Sequence, residues 1–365
     1  MRTSRLYFID IVRAFAILMM LQGHFIDTLI DPVYRDTNFT SYRIWSYFRG
    51  ITAPTFFTIS GLIFTYLLLR AKDKGEEKKR MRKGITRGLF LIGVGYLLRI
   101  PFLAWLTGHF NYYFLVIDVL QIIGLSLILI ISIYFFTFKK TYLFSFLTLI
   151  CGLSIFVCEP LYRGISIDSL PIFLNNYISK ANGSVFTIIP WFGFVSFGAF
   201  IATIFYKNLH KKYFKLIIIT VFTVLGFSLI EYSSLFLVYL SKTFNIQLFM
   251  DSANYNYLFT RLGNVLLYFA FFYALENYLK IPIILKIGQK TLSIYVIHFI
   301  IIYGSFTGFG LKHIFGKSLN PIEAIFGAAL FLVVVCFISF YYAKTNTFLY
   351  VQLRKFIDKR KLKNS

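Results

Sequence analysis

Long apolar blocks alternate with short clusters of basic residues along the whole chain. The apolar blocks are roughly twenty residues long, which is the length at which an α-helix crosses a bilayer. Read in this way, the pattern predicts spans at 8–30, 45–69, 88–107, 112–138, 141–158, 185–206, 216–240, 258–279, 287–309 and 322–343. We therefore expect an all-α, polytopic integral membrane protein with about ten transmembrane helices.

The basic clusters between the spans predict how the protein is oriented. Cytoplasmic segments of membrane proteins are enriched in Lys and Arg. With a cytoplasmic N-terminus and ten spans, most of the 38 Lys and Arg fall on the cytoplasmic side, above all in the segment 70–87. We therefore expect both termini in the cytoplasm, one transmembrane domain over 1–343, and a basic cytoplasmic tail over 344–365.

Composition excludes several other classes of protein. The chain is 58% hydrophobic and 15% charged, whereas a soluble domain is about one quarter charged. The net charge of +23 does not indicate a nucleic-acid partner, because the basic residues lie between apolar blocks, and they also favour contact with anionic membrane lipid. The five histidines are scattered without metal-ligand spacing, so we expect no metal site.

The first span carries ionisable residues that are costly inside a bilayer and often mark function. Asp10 and Arg13 are three residues apart and share a helix face. Arg13 and His24 are eleven apart, which in a helix is a rotation of about 20° and a rise of about 16 Å. Asp27 falls near the same stripe. The alternative is an arginine that snorkels to the interface and a histidine that bonds a neighbouring helix.

Other spans contain single polar residues of the same kind. We expect Arg99 near mid-membrane in the third span, Asp118 and Gln121 on one face of the fourth, and His298 at mid-depth in the ninth. Glu231 falls in the seventh span and Arg261 starts the eighth. Each of these side chains could equally be a hydrogen-bond partner between helices.

Several fragments resemble the transmembrane acyltransferase superfamily. RLYFIDIVRAFAILMMLQGHF (5–25) is similar to its first helix, and Arg13 and His24 match the Arg-x10-His motif of the acyltransferase-3 branch. ITAPTFFTISGLIF (51–64) and IGQKTLSIYVIHF (287–299) resemble its second and late helices. DVLQIIGLSL (118–127) and IIPWFGFVSFGAFIA (188–202) are more similar to the branch of heparan-α-glucosaminide N-acetyltransferase and its bacterial relatives. A departure is that residues 31–44 contain no histidine, where the lysosomal enzyme of that branch has its catalytic one.

The resemblance implies an acyltransferase of the bacterial inner membrane. It implies acyl-CoA, most simply acetyl-CoA, as a co-substrate rather than a tightly bound cofactor, and a hydroxyl or amine of a carbohydrate or envelope glycan as acceptor. His24 would be the general base, since the ordinary pKa of imidazole suits that role near neutral pH. Asp27 or Asp118 would orient its ring, and Gln121, Tyr295 or His298 would stabilise the negative thioester oxygen.

The phosphates of CoA need cationic partners near the cytoplasmic end of the helices. Arg13, paired with Asp10, could hold them together with Arg82, Lys83 and Arg87. The separation of Arg13 and His24 is about the reach of a pantetheine arm. We therefore expect CoA to enter from the cytoplasm and the acceptor to approach from outside.

Two other classes of function compete with this prediction. A transporter or flippase for a small polar solute or a glycolipid would also place ionisable residues on facing helices. Against it stand the lack of an inverted repeat and the expected lack of a broken helix pair. A non-catalytic membrane scaffold needs no polar stripe at all.

Overall fold

The computed structural model describes residues 6–110, 112–167 and 169–341, and it is helical almost throughout. Within these ranges there is no β-strand, only an isolated bridge between Ile30 and Leu319. The prediction of an all-α, polytopic membrane protein is confirmed. The cytoplasmic placement of the two termini stays a prediction, and the expected basic tail at 344–365 lies outside the described residues.

The helices follow one another with short connections. They are α1 (Tyr7–Leu29), α2 (Thr40–Arg49), α3 (Thr52–Asp73), α4 (Glu77–Leu97), α5 (Phe102–Leu106), α6 (Val119–Phe136), α7 (Thr141–Val157), α8 (Glu159–Tyr162), α9 (Ile172–Ile178), α10 (Ile188–Asn208), α11 (Phe214–Glu231), α12 (Ser233–Phe244), α13 (Gln247–Asn254), α14 (Tyr257–Ala274), α15 (Glu276–Leu279), α16 (Pro282–Gln289), α17 (Thr291–Tyr303), α18 (Leu311–Phe315) and α19 (Pro321–Tyr341). Short 3₁₀ turns occur at Pro32–Tyr34 and Tyr112–Leu115.

By length and composition, six helical segments of the described chain can cross a membrane. They are Tyr7–Leu29, Thr40–Asp73, Tyr112–Phe136, Ile188–Asn208, Phe214–Glu231 and Pro321–Tyr341. A seventh is formed if α16 and α17 are counted as one bent span. The expected count of ten is therefore not confirmed. Helices also occupy the other predicted positions, but α7 has only 17 residues and α4 begins inside the basic cluster at Glu77.

Small residues let the central helices approach one another closely. Gly61 on α3 faces the backbone of Val195 on α10, and Gly198 on α10 faces the carbonyl oxygen of Thr58 on α3. A Cβ atom at either glycine would lie well inside contact distance of the opposite backbone. This is the usual way in which transmembrane helices gain van der Waals contact, because lipid supplies no hydrophobic drive between them.

The ninth predicted span is broken into two helices. The axes of α16 and α17 differ by 71° across the single residue Lys290. α16 begins with Pro282, and its Gly288 packs directly on the backbone of Asp10 in α1. The expectation that the chain has no broken helix pair is therefore wrong. Hydropathy does not show where a helix packs closely on another helix, and the break lies next to such a contact.

Two polar residues predicted to lie inside spans are found at helix ends. α4 ends at Leu97, and Arg99 lies in the turn before Pro101 rather than in the middle of a helix. Helices usually end at or before the residue that precedes a proline. Glu231 is the last residue of α11 and is exposed, because α12 starts a new helix at Ser233.

Candidate active site

Arg13 lies where α1 meets the start of α17. Its guanidinium donates to the hydroxyl of Thr291 at 2.5 Å, and the carboxylate of Asp10 lies 3.9 Å away on the same helix. The predicted pairing of Asp10 and Arg13 is thus present in the structure. Because the side chain of Arg13 is only 19% exposed, these contacts fix the direction of a charge that is largely removed from water.

A cavity opens beside Arg13, and we call it the Arg13 cavity. Three guanidinium groups line it, those of Arg13, Arg80 and Arg87, and the rest of its wall is mostly apolar side chains of α1, α3, α4 and α6. The Nε atom of Arg80 is buried and has no hydrogen-bond partner among the described residues. Arg82 and Lys83 do not line this cavity; both are exposed and lie along a neighbouring groove of α4 that Arg87 shares.

His24 lies farther along α1 and contacts two residues of α17. Its Nδ1 atom is 3.0 Å from the hydroxyl of Tyr303, and its ring centroid is 5.2 Å from that of His298. The imidazole of His298 is fully buried, and neither of its nitrogens is hydrogen-bonded to a side chain that the structure describes. The structure therefore brings together the two predicted histidines.

Asp27 does not orient the ring of His24. Its carboxylate forms an ion pair with Arg49, and its backbone carbonyl accepts a hydrogen bond from Arg35. The spacing of three residues places Asp27 near the correct stripe of α1, but the side chain turns toward the arginine on the neighbouring helix. A favourable ion pair with a partner distant in sequence cannot be read from helical periodicity.

Asp118 and Gln121 form the capping box of α6 rather than a polar face inside it. The Asp118 carboxylate accepts from the backbone N–H of Val119 at 2.8 Å, and the side-chain oxygen of Gln121 accepts from the Asp118 N–H at 3.2 Å. Such a box satisfies donors that a helix start leaves unpaired. The side-chain nitrogen of Gln121 is buried without a partner among the described residues.

Asp118 also forms a buried ion pair with Arg99. The Nη2 atom of Arg99 lies 2.7 Å from the carboxylate, and both residues are less than 10% exposed. The guanidinium is further held between the rings of Tyr113 and Phe299. Asp118 therefore fixes Arg99 and does not bond directly to His24 in the described structure.

A second cavity lies at the opposite end of α17, and we call it the Tyr303 cavity. Its polar wall is formed by Arg99, Tyr303, Ser305, Lys312 and His313, and Tyr113 and Phe299 add aromatic surface. The Oγ atom of Ser305 and the Nε atom of Arg99 are buried there without partners among the described residues. The cavity measures about 380 Å³, a size in the range of small-molecule sites.

His24 and His298 stand between the two cavities. Tyr295 lines the Arg13 cavity and its ring lies 4.9 Å from that of His298, while Tyr303 lines the Tyr303 cavity and bonds His24. His24 is not among the described residues that line the Arg13 cavity. The spacing in α1 predicted that a pantetheine arm could reach from Arg13 to His24, but the Arg13 cavity does not extend to His24, and the rings of Tyr295 and His298 lie between them as a wall.

The profile of the catalytic domain of heparan-alpha-glucosaminide N-acetyltransferase matches residues 5–243 of the chain. The chain belongs to this family. It is a membrane acetyltransferase, and the matched segment includes Arg13, His24, Arg99 and Asp118. α17, with Tyr295, His298 and Tyr303, lies beyond the matched segment. No curated protein sequence matches the chain.

Three residues of the candidate site were missed from the sequence: Arg80, Thr291 and Tyr303. Arg80 belongs to the long basic segment, where nothing in the pattern separates an inward from an outward guanidinium. Thr291 and Tyr303 carry no charge, so a search for ionisable residues in apolar blocks passes over them. The sequence did contain a signal for Tyr303. Gly304 marks the end of α17, so Tyr303 is the last residue of the helix that carries the candidate His298.

Proposed function

We propose that this membrane acetyltransferase moves an acyl group, most simply acetyl, from acyl-CoA to a hydroxyl or amine of a carbohydrate or envelope glycan. One observation carries the proposal. His24 bonds to Tyr303, which lines the Tyr303 cavity. The Arg13 cavity, with its three guanidinium groups, lies on the other side of the rings of His24 and His298. A base and an anion site are the two elements that acyl transfer from CoA requires.

The Arg13 cavity is the proposed donor site. The phosphates of CoA are best held by guanidinium groups, which bind them through paired hydrogen bonds. Arg13, Arg80 and Arg87 supply these groups, and Arg82 and Lys83 extend the positive charge along the neighbouring groove of α4. The apolar wall suits the pantetheine arm and the acyl chain. Under the predicted topology this cavity opens toward the cytoplasm of a bacterial cell.

The Tyr303 cavity is the proposed acceptor site, on the opposite side of the membrane. A hydroxyl or amine bound there can pass its proton through Tyr303 to His24 while it attacks the acyl carbon. General-base help of this kind contributes about 10²–10⁴-fold to a rate. Gln121 has a buried amide nitrogen without a partner among the described residues, but it lines neither cavity and packs against Gly95, so we do not assign it as the donor to the thioester oxygen.

Transfer requires the acyl carbon and the acceptor atom to meet at the wall between the cavities. Tyr295 forms the face of this wall toward the donor. We expect its side chain to move when acyl-CoA binds, so that the thioester reaches His24. A wall that is closed without substrate would also keep water away from the thioester, and so limit its hydrolysis.

A transfer assay tests the proposal. Purified protein in detergent is given radiolabelled acetyl-CoA and a crude envelope glycan extract, and label in the glycan fraction is counted. Wild type should transfer label, and His24→Ala should not, although it elutes at the same size. His109→Ala is the matched control, since His109 is exposed outside both cavities, and it should behave as wild type. Normal transfer by His24→Ala would reject the assignment of the base.

The broken helix pair favours a second candidate, a transporter or flippase for a small polar solute or glycolipid. Discontinuous helices next to buried ionisable groups are typical of transporter binding sites, and α16 and α17 are of this type. Uptake of a solute into proteoliposomes without acyl transfer would support this alternative and contradict the proposed enzyme.

A further inference from the structure

His298 is a buried titratable side chain to which the mechanism above gives no task. Its side chain is completely inaccessible, and neither ring nitrogen is hydrogen-bonded to a side chain of the described residues; the polar groups that interact with the ring from its own helix are backbone groups of Ile294 and Tyr295. Burying a polar group without a partner costs free energy, so such groups usually have a reason to be present. A phenylalanine or leucine would fill the same space without the free-energy cost of burying a polar ring.

The position of His298 links the two cavities through a chain of four polar rings. On one side its ring lies 4.9 Å from Tyr295, which lines the Arg13 cavity. On the other side it lies 5.2 Å from His24, whose Nδ1 bonds to Tyr303 of the Tyr303 cavity. In order, the chain is Tyr303, His24, His298 and Tyr295.

We propose that His298 relays a proton between His24 and the Arg13 cavity, so that the proton removed from the acceptor ends on the sulfur of CoA. This inference rests on the proposed acyl transfer. The O–H or N–H bond of the acceptor breaks and its heteroatom bonds to the acyl carbon. The C–S bond breaks with its electron pair on sulfur. The proton taken up by His24 passes to His298, which releases a proton from its other ring nitrogen to that sulfur, so neither imidazole keeps a net charge once the thiol of CoA has formed.

Imidazole is suited to this relay because it accepts a proton at one nitrogen while it donates from the other. In such an exchange His298 need not hold a net charge, which would be costly at this depth. The charged groups that act on the ring of His24 are Asp118, Arg49 and Arg99; Asp118 is paired with Arg99, and Arg49 is paired with Asp27. The remaining neighbours, Tyr295 and Tyr303, are neutral phenols at ordinary pH.

Substitution of His298 by glutamine distinguishes the relay from two simpler roles, which are packing and hydrogen-bond donation to the thioester oxygen. If His298 only packs, or only donates a hydrogen bond to the thioester oxygen, glutamine preserves most of the function, because its amide has a similar reach and an N–H. An amide does not pass protons between neighbours in this way. The relay therefore predicts that His298→Gln is as impaired as His298→Ala.

The experiment measures kcat and the KM for acetyl-CoA in wild type, His298→Gln and His298→Ala, each with and without added imidazole. We expect kcat to fall about 100-fold in both variants, with the KM for acetyl-CoA changed less than threefold. Imidazole should restore part of kcat in His298→Ala, which has space for it, and not in His298→Gln. Elution volume and thermal unfolding identify folded protein, and His109→Gln is the control.

Each result decides between the roles. A His298→Gln variant with wild-type kcat overturns the relay and leaves the proposed function intact. Loss of kcat in both variants with no imidazole rescue of folded His298→Ala also overturns it. Wild-type protein that transfers no acyl group to any acceptor overturns the proposed function, and the relay with it. Loss in both variants with rescue confined to His298→Ala supports the relay.

Discussion

The hydroxyl of Tyr303 lies 3.0 Å from Nδ1 of His24, and this bond joins the middle of the site on α1 to the last residue of α17. Tyr303 also lines the cavity proposed for the acceptor, whereas the ring of His24 lies behind it. The phenol therefore stands between the base and the group from which the base takes a proton. It also holds the imidazole in one orientation.

Removing this hydroxyl should slow the chemical step. In Tyr303→Phe we expect kcat to fall about 100-fold, the order of magnitude of general-base catalysis. The KM for acyl-CoA should change little, because Tyr303 does not line the Arg13 cavity. Steady-state kinetics with radiolabelled acetyl-CoA measures both quantities. Tyr278→Phe is the control, since Tyr278 is 80% exposed. An unchanged kcat in Tyr303→Phe would show that His24 receives the proton by another route.

Arg13 should act mainly on binding of the donor. In Arg13→Ala we expect the KM for acyl-CoA to rise at least tenfold, which corresponds to about 1.4 kcal/mol, because a phosphate of CoA loses a largely buried guanidinium partner. Arg82→Ala should have a smaller effect, since Arg82 is exposed in the outer groove of α4 and its charge is screened by salt. Kinetics at two ionic strengths compare the two variants. A larger effect at Arg82 would place the phosphates outside the Arg13 cavity.

The ion pair between Arg99 and Asp118 should be a strong determinant of stability. In Asp118→Asn the guanidinium of Arg99 remains buried without its countercharge, and breaking such a pair costs about 3–5 kcal/mol. The double variant Arg99→Met, Asp118→Leu removes both charges and should recover a large part of that loss. Thermal unfolding in detergent measures the order of stability. If the double variant is less stable than Asp118→Asn, the unpaired charge of Arg99 is not the main cause of the loss, and the prediction is wrong.

The sequence was sufficient to predict those helices whose limits depend on hydropathy. Helix α1 was expected at 8–30 and runs Tyr7–Leu29, and α10 was expected at 185–206 and runs Ile188–Asn208. The pairing of Asp10 with Arg13 was also predictable, because residues three apart on a helix are neighbours whatever surrounds them.

What could not be predicted depends on contacts between residues distant in sequence. Asp27 was expected beside His24, but Arg49 on the next helix competes for its carboxylate. Asp118 was expected inside a helix, but it caps α6 and pairs with Arg99 outside that helix. The break between α16 and α17 depends on the contact of Gly288 with α1. Periodicity reports which face a residue occupies, but not which neighbour that face meets.

The close approach of α3 and α10 leads to a final prediction about stability. At Gly198 an added Cβ would lie against the carbonyl oxygen of Thr58 and close to the amide nitrogen of Leu62. These are backbone atoms of a helix, so they cannot rotate away as a side chain does. Gly198→Ala must therefore separate α3 from α10, and α3 carries Ser60 and Phe64 of the Arg13 cavity.

Overpacking of this kind typically costs about 1–3 kcal/mol, so we expect Gly198→Ala to unfold at a lower temperature in detergent. Gly93 on α4 is the matched control, because a Cβ there meets no other atom within 4 Å. Gly93→Ala should be stabilised by about 0.5–1 kcal/mol, since alanine loses less backbone entropy in a helix than glycine. Opposite shifts for one and the same substitution would show that backbone contact, rather than helix propensity, decides the effect at Gly198. Equal stabilisation of both variants would mean that α3 and α10 lie farther apart than the structure describes.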